Sequence, residues 1–228
     1  MITSDKVYKN NEWVWGYREN DTLWGNDPYS ASKSSSENAI YSYLYSFINR
    51  NKNIKVGIAR AGNVIGGGDW SNNRIIPDCI KSWSNNKQVI IKNPNSIRPW
   101  QHVLDPLHGY ILMAYGLYFN KIKSGEAFNF GPNDRHSIEV IDLVKVMQKT
   151  WRKSSFHVVK DSNFSENKLL SLNSDKAKEI LGWSTLWLSH ESIQLTAEWY
   201  YKFYERKYDI IDLTLTDIKK YRAIYESR

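Results

Sequence analysis

Tyr29-Ser30-Ala31-Ser32-Lys33 is the stretch from which the rest of this 228-residue chain can be interpreted. It opens a segment, Tyr29 to Arg50, that we predict to be helical, preceded by Asp27-Pro28, a good cap and a residue tolerated in a first turn. Four positions separate Tyr29 from Lys33, so both side chains lie on one helical face. The ammonium favours ionisation of the phenol, which a tyrosine needs to transfer protons near neutral pH. Many helices carry such a pair by chance, so alone it is a weak signal.

A second polar cluster strengthens the catalytic interpretation. Ser4, Asp5 and Lys6 follow residues that have the character of a strand end. A hydroxyl and two charged groups at a strand end, upstream of the Tyr29–Lys33 pair, favour catalysis over coincidence. A strand this short cannot open a domain, so we expect the chain to begin inside a fold.

Composition excludes several classes of protein. With 41% hydrophobic and 14% aromatic residues, the chain is expected to be globular rather than disordered. The net charge of +7 is spread over the sequence without a basic block, so no nucleic-acid partner is expected, and a mild excess of positive charge equally suits a small substrate that carries phosphates. The single cysteine, Cys79, excludes an internal disulfide and a cysteine-based metal site, and fits a reducing compartment. We expect its thiol to be buried and inert.

The chain shows neither an apolar run of about 20 residues nor a signal peptide, so a cytoplasmic protein is expected. His157 has no second His, Asp or Cys at metal-ligand spacing, and no metal is predicted.

Strand-like and helix-like segments alternate after the first helix, which predicts an α/β fold. The expected strands are Ile54–Arg60, Val89–Ile91, Ala127–Gly131 and Phe156–Val159. The expected helices are Arg74–Asn85 (interrupted at Pro77), Val103–Leu117, one from Asn173 or Ser174 to Leu181 (ended by Gly182), Leu188–Tyr208 and a further one in the tail. Val140, Leu143, Val144 and Met147 are expected to form the buried stripe of another helix.

Two loops carry candidate binding residues. Gly66-Gly67-Gly68 does not match a dinucleotide fingerprint, so we interpret it as a loop that approaches a substrate closely. Arg98-Pro99-Trp100-Gln101-His102 places a charged fork beside an aromatic face, which suits a phosphate with a sugar or base. A surface turn with a stacked Arg–Trp pair is an equally good interpretation from the residues alone.

Taken together, these motifs resemble the extended short-chain dehydrogenase/reductases and, more closely, the CDP-glucose 4,6-dehydratases. The matching stretches, which extend from residue 1 to about residue 200, are Thr3 to Tyr8, Tyr17-Arg18-Glu19, Asp27 to Lys33, Arg60 to Trp70, Asn73 to Asp78, Arg98 to Val103, Asn129 to Pro132 and Leu181-Gly182-Trp183. Gly-Gly-Gly-Asp-Trp and Arg-Pro-Trp-Gln-His are more specific than Tyr-x-x-x-Lys.

The resemblance implies an NAD-dependent dehydration of CDP-glucose to CDP-4-keto-6-deoxyglucose, a step of deoxysugar biosynthesis. In it Tyr29 would take the C4 hydroxyl proton, Lys33 would support Tyr29 and hold the nicotinamide ribose, and Ser4 would bind the C4 oxygen. Asp5 fits the acid at C6. Lys6 stands where related dehydratases carry a Glu base, and could stabilise an enolate or act as a base.

On the substrate side, the resemblance assigns Asn63, Arg74, Arg98 and His102, with the two arginines suited to the pyrophosphate.

The same resemblance implies a division of the fold. Residues 1–70 would be the C-terminal part of a Rossmann-type, doubly wound domain, and residues 71–228 a smaller α/β substrate-binding lobe, with segments interleaving between the two. The Gly-rich turn that binds the cofactor diphosphate, and the first βα units of the family, have no counterpart after Met1. Trp24, which stands where a second glycine is expected, could crowd the start of the helix.

Several interpretations therefore stay open. The chain could be part of an NAD-dependent dehydratase, alone or beside a separately encoded N-terminal half. It could be a non-catalytic remnant that at most binds a nucleotide sugar, or a related nucleotide-sugar epimerase. The Asp5-Lys6 pair favours dehydration over epimerisation, because elimination needs an acid at C6. The family also implies a homodimer that pairs the Tyr29–Arg50 helix, and for these 228 residues alone we predict no measurable NAD binding.

Overall fold

The computed structural model describes residues 1–51, 53–132, 138–152, 154–159 and 170–228. Its helices are α1 (Pro28–Ser46), α2 (Ile75–Ser84), α3 (Leu104–Tyr118), α4 (Val140–Thr150), α5 (Asp175–Leu181), α6 (Ser189–Arg206) and α7 (Ile210–Glu226). Its strands are β1 (Ile58–Ala61), β2 (Val64–Ile65), β3 (Val89–Ile91), β4 (Ile97–Arg98), β5 (Gln101–His102), β6 (Ala127–Phe130), β7 (Ile138–Glu139) and β8 (Phe156–Val158). Short 3-10 turns cover Asp5–Val7 and Ile48–Arg50.

The chain forms two compact units, each assembled from three segments. The first unit contains Met1–Gly62, Asp105–Asn133 and Leu169–Thr185, and the second contains Asn63–Leu104, Asp134–Lys168 and Leu186–Arg228. Both units therefore draw on residues from most of the chain. The functional division at residue 70 that the sequence suggests stays a prediction.

A small parallel sheet organises the first unit. β1 pairs in parallel with β6, from Ile58 with Ala127 to Ala61 with Phe130. Ile2 adds a parallel bridge to Ala59 on the β1 strand. All four residues of each strand are buried, the pattern of parallel strands that are covered on both faces. The residues before Ser4 thus run alongside a buried strand, which brings the polar cluster to the end of this sheet.

In its described residues, the second unit holds three two-stranded pairings and a helical core. β2 pairs with β5 and β3 with β8 in parallel, whereas β4 and β7 are antiparallel. Helix α4 packs against both α2 and α6. Leu143, Val144 and Met147 of α4 are fully buried, which confirms three of the four residues in the expected stripe. Val140, the fourth, is only partly buried but packs against the same core.

Helix α2 runs without interruption through Pro77, so the predicted break was wrong. Its first intrahelical hydrogen bond is donated by the Asp78 amide to the Arg74 carbonyl, at 2.9 Å. Pro77 precedes that position and lies in the first turn, where a helix needs no backbone donor.

Two findings bear on the expected environment of the chain. Cys79 is fully buried in the core of the second unit, and its burial raises the pKa of the thiol. Among the residues that the structure describes, no helix combines the length and apolar character that crossing a membrane requires.

Candidate functional site

Ser4 organises the polar turn at the start of the chain. Its Oγ accepts the Lys6 amide hydrogen at 3.2 Å and donates to Asp5 Oδ1 at 2.9 Å. Ser4 and Asp5 are both buried, whereas Lys6 is partly exposed. The Asp5 carboxylate lies against Gly62, where an added Cβ would overlap it. A glycine at 62 therefore gives the carboxylate its room.

Asp27 starts helix α1 and sets the position of Tyr29. Its Oδ1 accepts the amide hydrogens of Tyr29 and Ser30, both at 3.0 Å, and its Oδ2 accepts the Ser30 hydroxyl. The hydrogen bonds from Ser30 lower the pKa of Asp27, and the nearby charge of Lys6 adds to the effect. The predicted cap is confirmed, and Lys6 lies within electrostatic reach of it.

Tyr29 and Lys33 occupy one face of α1, as their spacing predicts. Lys33 Nζ lies 5.7 Å from the centre of the Tyr29 ring. The Tyr29 side chain is 55% exposed, so an incoming molecule can reach its hydroxyl. The Ser4–Val7 turn packs against this helix. The structure therefore places the residues Ser4, Asp5, Lys6, Tyr29 and Lys33 in the first unit, on two elements in contact.

Trp24 lies just before the start of the helix, and its effect on the helix entry stays a prediction. Its indole is 57% exposed and donates to Asn26 Oδ1 at 2.8 Å. Gly25 is the residue that lies against Ala31 of the helix, since an added Cβ there would overlap the backbone of Ala31.

Sequence reasoning missed a buried ion pair beneath this site. Arg60 and Glu37 are 1% and 0% exposed and form a two-pronged salt bridge. Tyr8 accepts a hydrogen bond from Arg60 and donates one to Asn129 Oδ1, at 2.6 and 2.7 Å. Two signals were present in the sequence: an arginine inside a buried strand, and Glu37 four residues after Lys33 on the same helical face.

The predicted substrate-side residues all belong to the second unit but differ in exposure. Arg98 is buried, and its Nη1 donates to the carbonyl of Ile97 at 2.7 Å. Arg74 is exposed and lies 3.6 Å from an Asp69 carboxylate oxygen. Asn63 is partly buried in a left-handed conformation, with φ of 49°.

The surface-turn interpretation of the Arg98 loop is wrong. Trp100 is 8% exposed, and its carbonyl accepts the Ser189 hydroxyl at 2.8 Å. Burial of Arg98 and Trp100 shows that the loop is part of the interior of the second unit.

His102 is held in one tautomer. Its Nδ1 accepts the Leu104 amide hydrogen at 3.3 Å, so the ring proton lies on Nε2. The ring meets Trp187 edge-on at 4.7 Å between centroids. Burial lowers the pKa of His102 to about 4. Within the described parts of the chain Nε2 has no hydrogen-bond partner, which leaves a buried, neutral donor.

The three glycines at positions 66–68 are explained by packing as well as by the predicted approach to a substrate. An added Cβ on Gly67 would overlap the Trp199 indole, and one on Gly66 would lie 2.7 Å from Val103 Cγ1. Gly68 adopts φ of 86°, and the Asp69 carbonyl accepts the Tyr200 hydroxyl at 2.5 Å. The glycines therefore let the loop pack against helix α6, and a role in substrate approach stays a prediction.

The chain is similar in sequence to nucleotide-sugar dehydratases. A family model described as GDP-mannose 4,6 dehydratase matches residues 1–196. The CDP-glucose 4,6-dehydratase of Salmonella typhimurium is 44% identical over 97% of this chain. A dTDP-glucose 4,6-dehydratase from Xanthomonas campestris is 22% identical over 87% of this chain and 56% of its own length. The chain spans 63% of the length of the Salmonella protein.

Solved structures show the same fold. The dTDP-glucose 4,6-dehydratase of Bacillus anthracis, in complex with NAD, superposes with a TM-score of 0.73 at 21% identity, covering 90% of this chain and 61% of that one. The UDP-glucuronic acid 4-epimerase of Bacillus cereus gives 0.73 at 19% identity, covering 89% and 60%. The α/β, Rossmann-type fold class predicted from the sequence is confirmed. The chain belongs to the GDP-mannose 4,6 dehydratase family.

Proposed function

We propose that this chain carries the catalytic and substrate-binding residues of an NAD-dependent nucleotide-sugar 4,6-dehydratase that acts on CDP-glucose. The observation that carries the proposal is the packing of the Ser4–Val7 turn against the helix with Tyr29 and Lys33. The 44% identity to a CDP-glucose 4,6-dehydratase supports the choice of nucleotide sugar.

The residues present suit one part of NAD. Tyr29 is exposed, and the Lys33 ammonium has no carboxylate partner among the described residues, so both can take ribose hydroxyls. Gly67 packs on Trp199 and does not suit a diphosphate turn. When bound, NAD supplies reversible hydride acceptance. We propose that the diphosphate turn belongs to the part of the relatives that this chain does not span, either in the same gene product or as a separately encoded half.

Each residue of the site has a proposed task in the elimination. Tyr29 removes the proton from the C4 hydroxyl. The Ser4 hydroxyl, whose single hydrogen would turn away from Asp5 Oδ1, donates a hydrogen bond to the C4 oxygen. With the C4 hydride transferred to NAD, the C4 carbonyl acidifies the neighbouring C5–H. The C5 proton would pass to solvent beside the partly exposed Lys6, while Asp5 in its acid form would protonate the C6 hydroxyl as it leaves as water. Return of the hydride to C6 and of a proton to C5 would give the 4-keto-6-deoxy sugar. Lys6, whose charge already acts on Asp27, stabilises negative charge at C5.

The substrate side is proposed to lie in the second unit. Arg74, exposed and only loosely paired with Asp69, can reach a diphosphate. Arg98 and Asn63 would line the same site. The neutral Nε2–H of His102 is a buried donor that suits a sugar or phosphate oxygen.

The exposed aromatic end of α1 supports the proposed homodimer. Tyr43, Tyr45 and Phe47 are each at least 64% exposed, and pairing two copies of this helix would bury them. Light scattering on the full-length protein tests this, and a monomer at micromolar concentration would contradict it.

The proposed activity is tested by incubating CDP-glucose and NAD with a protein that joins this chain to the segment of the relatives that it does not span. A 4-keto-6-deoxy product, detected by its alkali-induced absorbance, is expected. Tyr29→Phe and Asp5→Asn should lower its formation by about a hundredfold or more, whereas the exposed control Tyr208→Phe should not.

The product also separates the remaining alternatives. A 4-epimer of the sugar without loss of water would favour an epimerase, a function that Asp5 does not serve. Binding of CDP-glucose in calorimetry without any turnover would favour the non-catalytic alternative.

A further inference from the structure

We propose that Glu37 and Arg60 are positioning residues that hold the Ser4–Val7 turn in place against helix α1. The inference rests on the proposed function, because the turn and the helix carry the residues assigned to dehydration. It concerns groups that touch the turn from beneath and make no contact with a substrate in the proposed reaction.

Glu37 holds the beginning of the turn. It lies four residues after Lys33 and eight after Tyr29, so it shares their face of α1. Its carboxylate is fully buried, and Thr3 Oγ1 donates to its Oε1 at 2.6 Å. Thr3 directly precedes Ser4. The carboxylate thus links the catalytic face of the helix to the residue that enters the turn.

Arg60 holds the end of the turn. Its Nε and Nη2 donate to the two carboxylate oxygens of Glu37, in the two-pronged arrangement that fixes orientation as well as distance. Its Nη1 donates to the Tyr8 hydroxyl at 2.6 Å. Tyr8 directly follows the turn and closes it, since its amide donates to the Asp5 carbonyl.

Tyr8 has to keep its proton to serve in this arrangement. Its hydroxyl accepts from Arg60 and donates to Asn129 Oδ1 at 2.7 Å. Burial raises the pKa of Tyr8, which keeps the phenol protonated. The Asn129 amide group in turn donates to the carbonyl of Tyr17 at 2.9 Å. Both ends of the turn are therefore held by hydrogen bonds that involve one buried ion pair, and moving the turn along α1 would break them together.

Removing Glu37 or Arg60 could unfold the chain, so the test uses the two hydroxyls that the pair holds. Amide hydrogen exchange is measured by NMR on the full chain for Thr3→Val, Thr3→Ser and Tyr8→Phe. Thr3→Val and Tyr8→Phe should each speed exchange of the Lys6 and Val7 amides by about tenfold or more, since each loses a hydrogen bond to a charged partner. Thr3→Ser keeps the hydroxyl, so its Lys6 and Val7 amides should exchange within about twofold of the rate in the protein without substitutions.

The control is Thr214→Val, which removes a hydroxyl that donates to the Ile210 carbonyl within α7 at 2.8 Å. This variant should leave exchange of the Lys6 and Val7 amides unaffected. Unchanged exchange at Lys6 and Val7 in both Thr3→Val and Tyr8→Phe would overturn the proposal. So would an equal acceleration throughout α1 and β1, or failure of Thr3→Ser to restore protection. Amide exchange does not depend on turnover, so a failed dehydratase assay leaves this test intact.

Discussion

Burial of His102 should make the free energy of unfolding fall in mildly acidic solution. Replacing His102 with a residue that does not titrate should remove this part of the pH dependence. The folded chain holds the pKa of His102 at about 4, against an ordinary value of 6.5. Between those values the unfolded chain binds a proton that the folded chain does not bind. The free energy of unfolding therefore falls as the pH falls through this window, and above about pH 6.5 the group contributes no pH dependence.

The size of the effect follows from the two pKa values. At about pH 5 the unfolded histidine is almost fully protonated while the folded one is mostly neutral, which costs about 2 kcal/mol relative to neutral pH. At about pH 4 the loss reaches about 3 kcal/mol. With a total stability of about 5–15 kcal/mol expected for a folded domain, such a loss is readily measured.

The assay is urea denaturation at several pH values between about 7.5 and 5, with His102→Asn as the matched variant. Asn keeps an acceptor near the position of Nδ1 for the Leu104 amide but carries no titrating group. Subtracting the pH dependence of the variant from that of the original protein cancels the contributions of the other ionisable residues. A difference that stays constant across the window would refute the reasoning, because it would mean that His102 is protonated as easily in the folded chain as in the unfolded one.

Three further perturbations test separate parts of the structure. Asp27→Ala should lower the free energy of unfolding by about 1 kcal/mol through loss of the α1 cap, and Asp27→Asn by much less; equal losses in thermal denaturation would contradict this. Cys79 should resist a thiol reagent in the folded protein and react once urea unfolds it, since the thiol is buried and burial raises its pKa. Gly67→Ala should lower the free energy of unfolding by about 1–3 kcal/mol, because its Cβ would overlap Trp199. Gly68→Asn, at a position with φ of 86°, should lower it less. A larger loss for Gly68→Asn than for Gly67→Ala in urea denaturation would contradict the packing of this loop.

Local patterns were enough to predict most elements. The helical spacing of Leu143, Val144 and Met147 anticipated the buried face of α4, and Gly182 anticipated the end of α5. Tyr29 and Lys33 share a helical face because their spacing of four residues requires it. Asp27 caps the helix because a carboxylate at that position meets backbone amides only two and three residues away. Each of these features depends on residues that are close together in the chain.

Contacts between distant residues were decided only by the tertiary structure. Glu37 pairs with Arg60 across 23 positions, and Tyr8 meets Asn129 across 121. Neither partner can be chosen from spacing, because β1, β6 and α1 first have to pack before these groups approach. The same holds for His102, whose neutral state follows from burial beside Trp187 rather than from its neighbours in sequence. The sequence thus determined which residues could do chemistry and on which elements they lie. The fold decided which of them are desolvated and paired, since burial and charge pairing depend on what the rest of the chain places around each group.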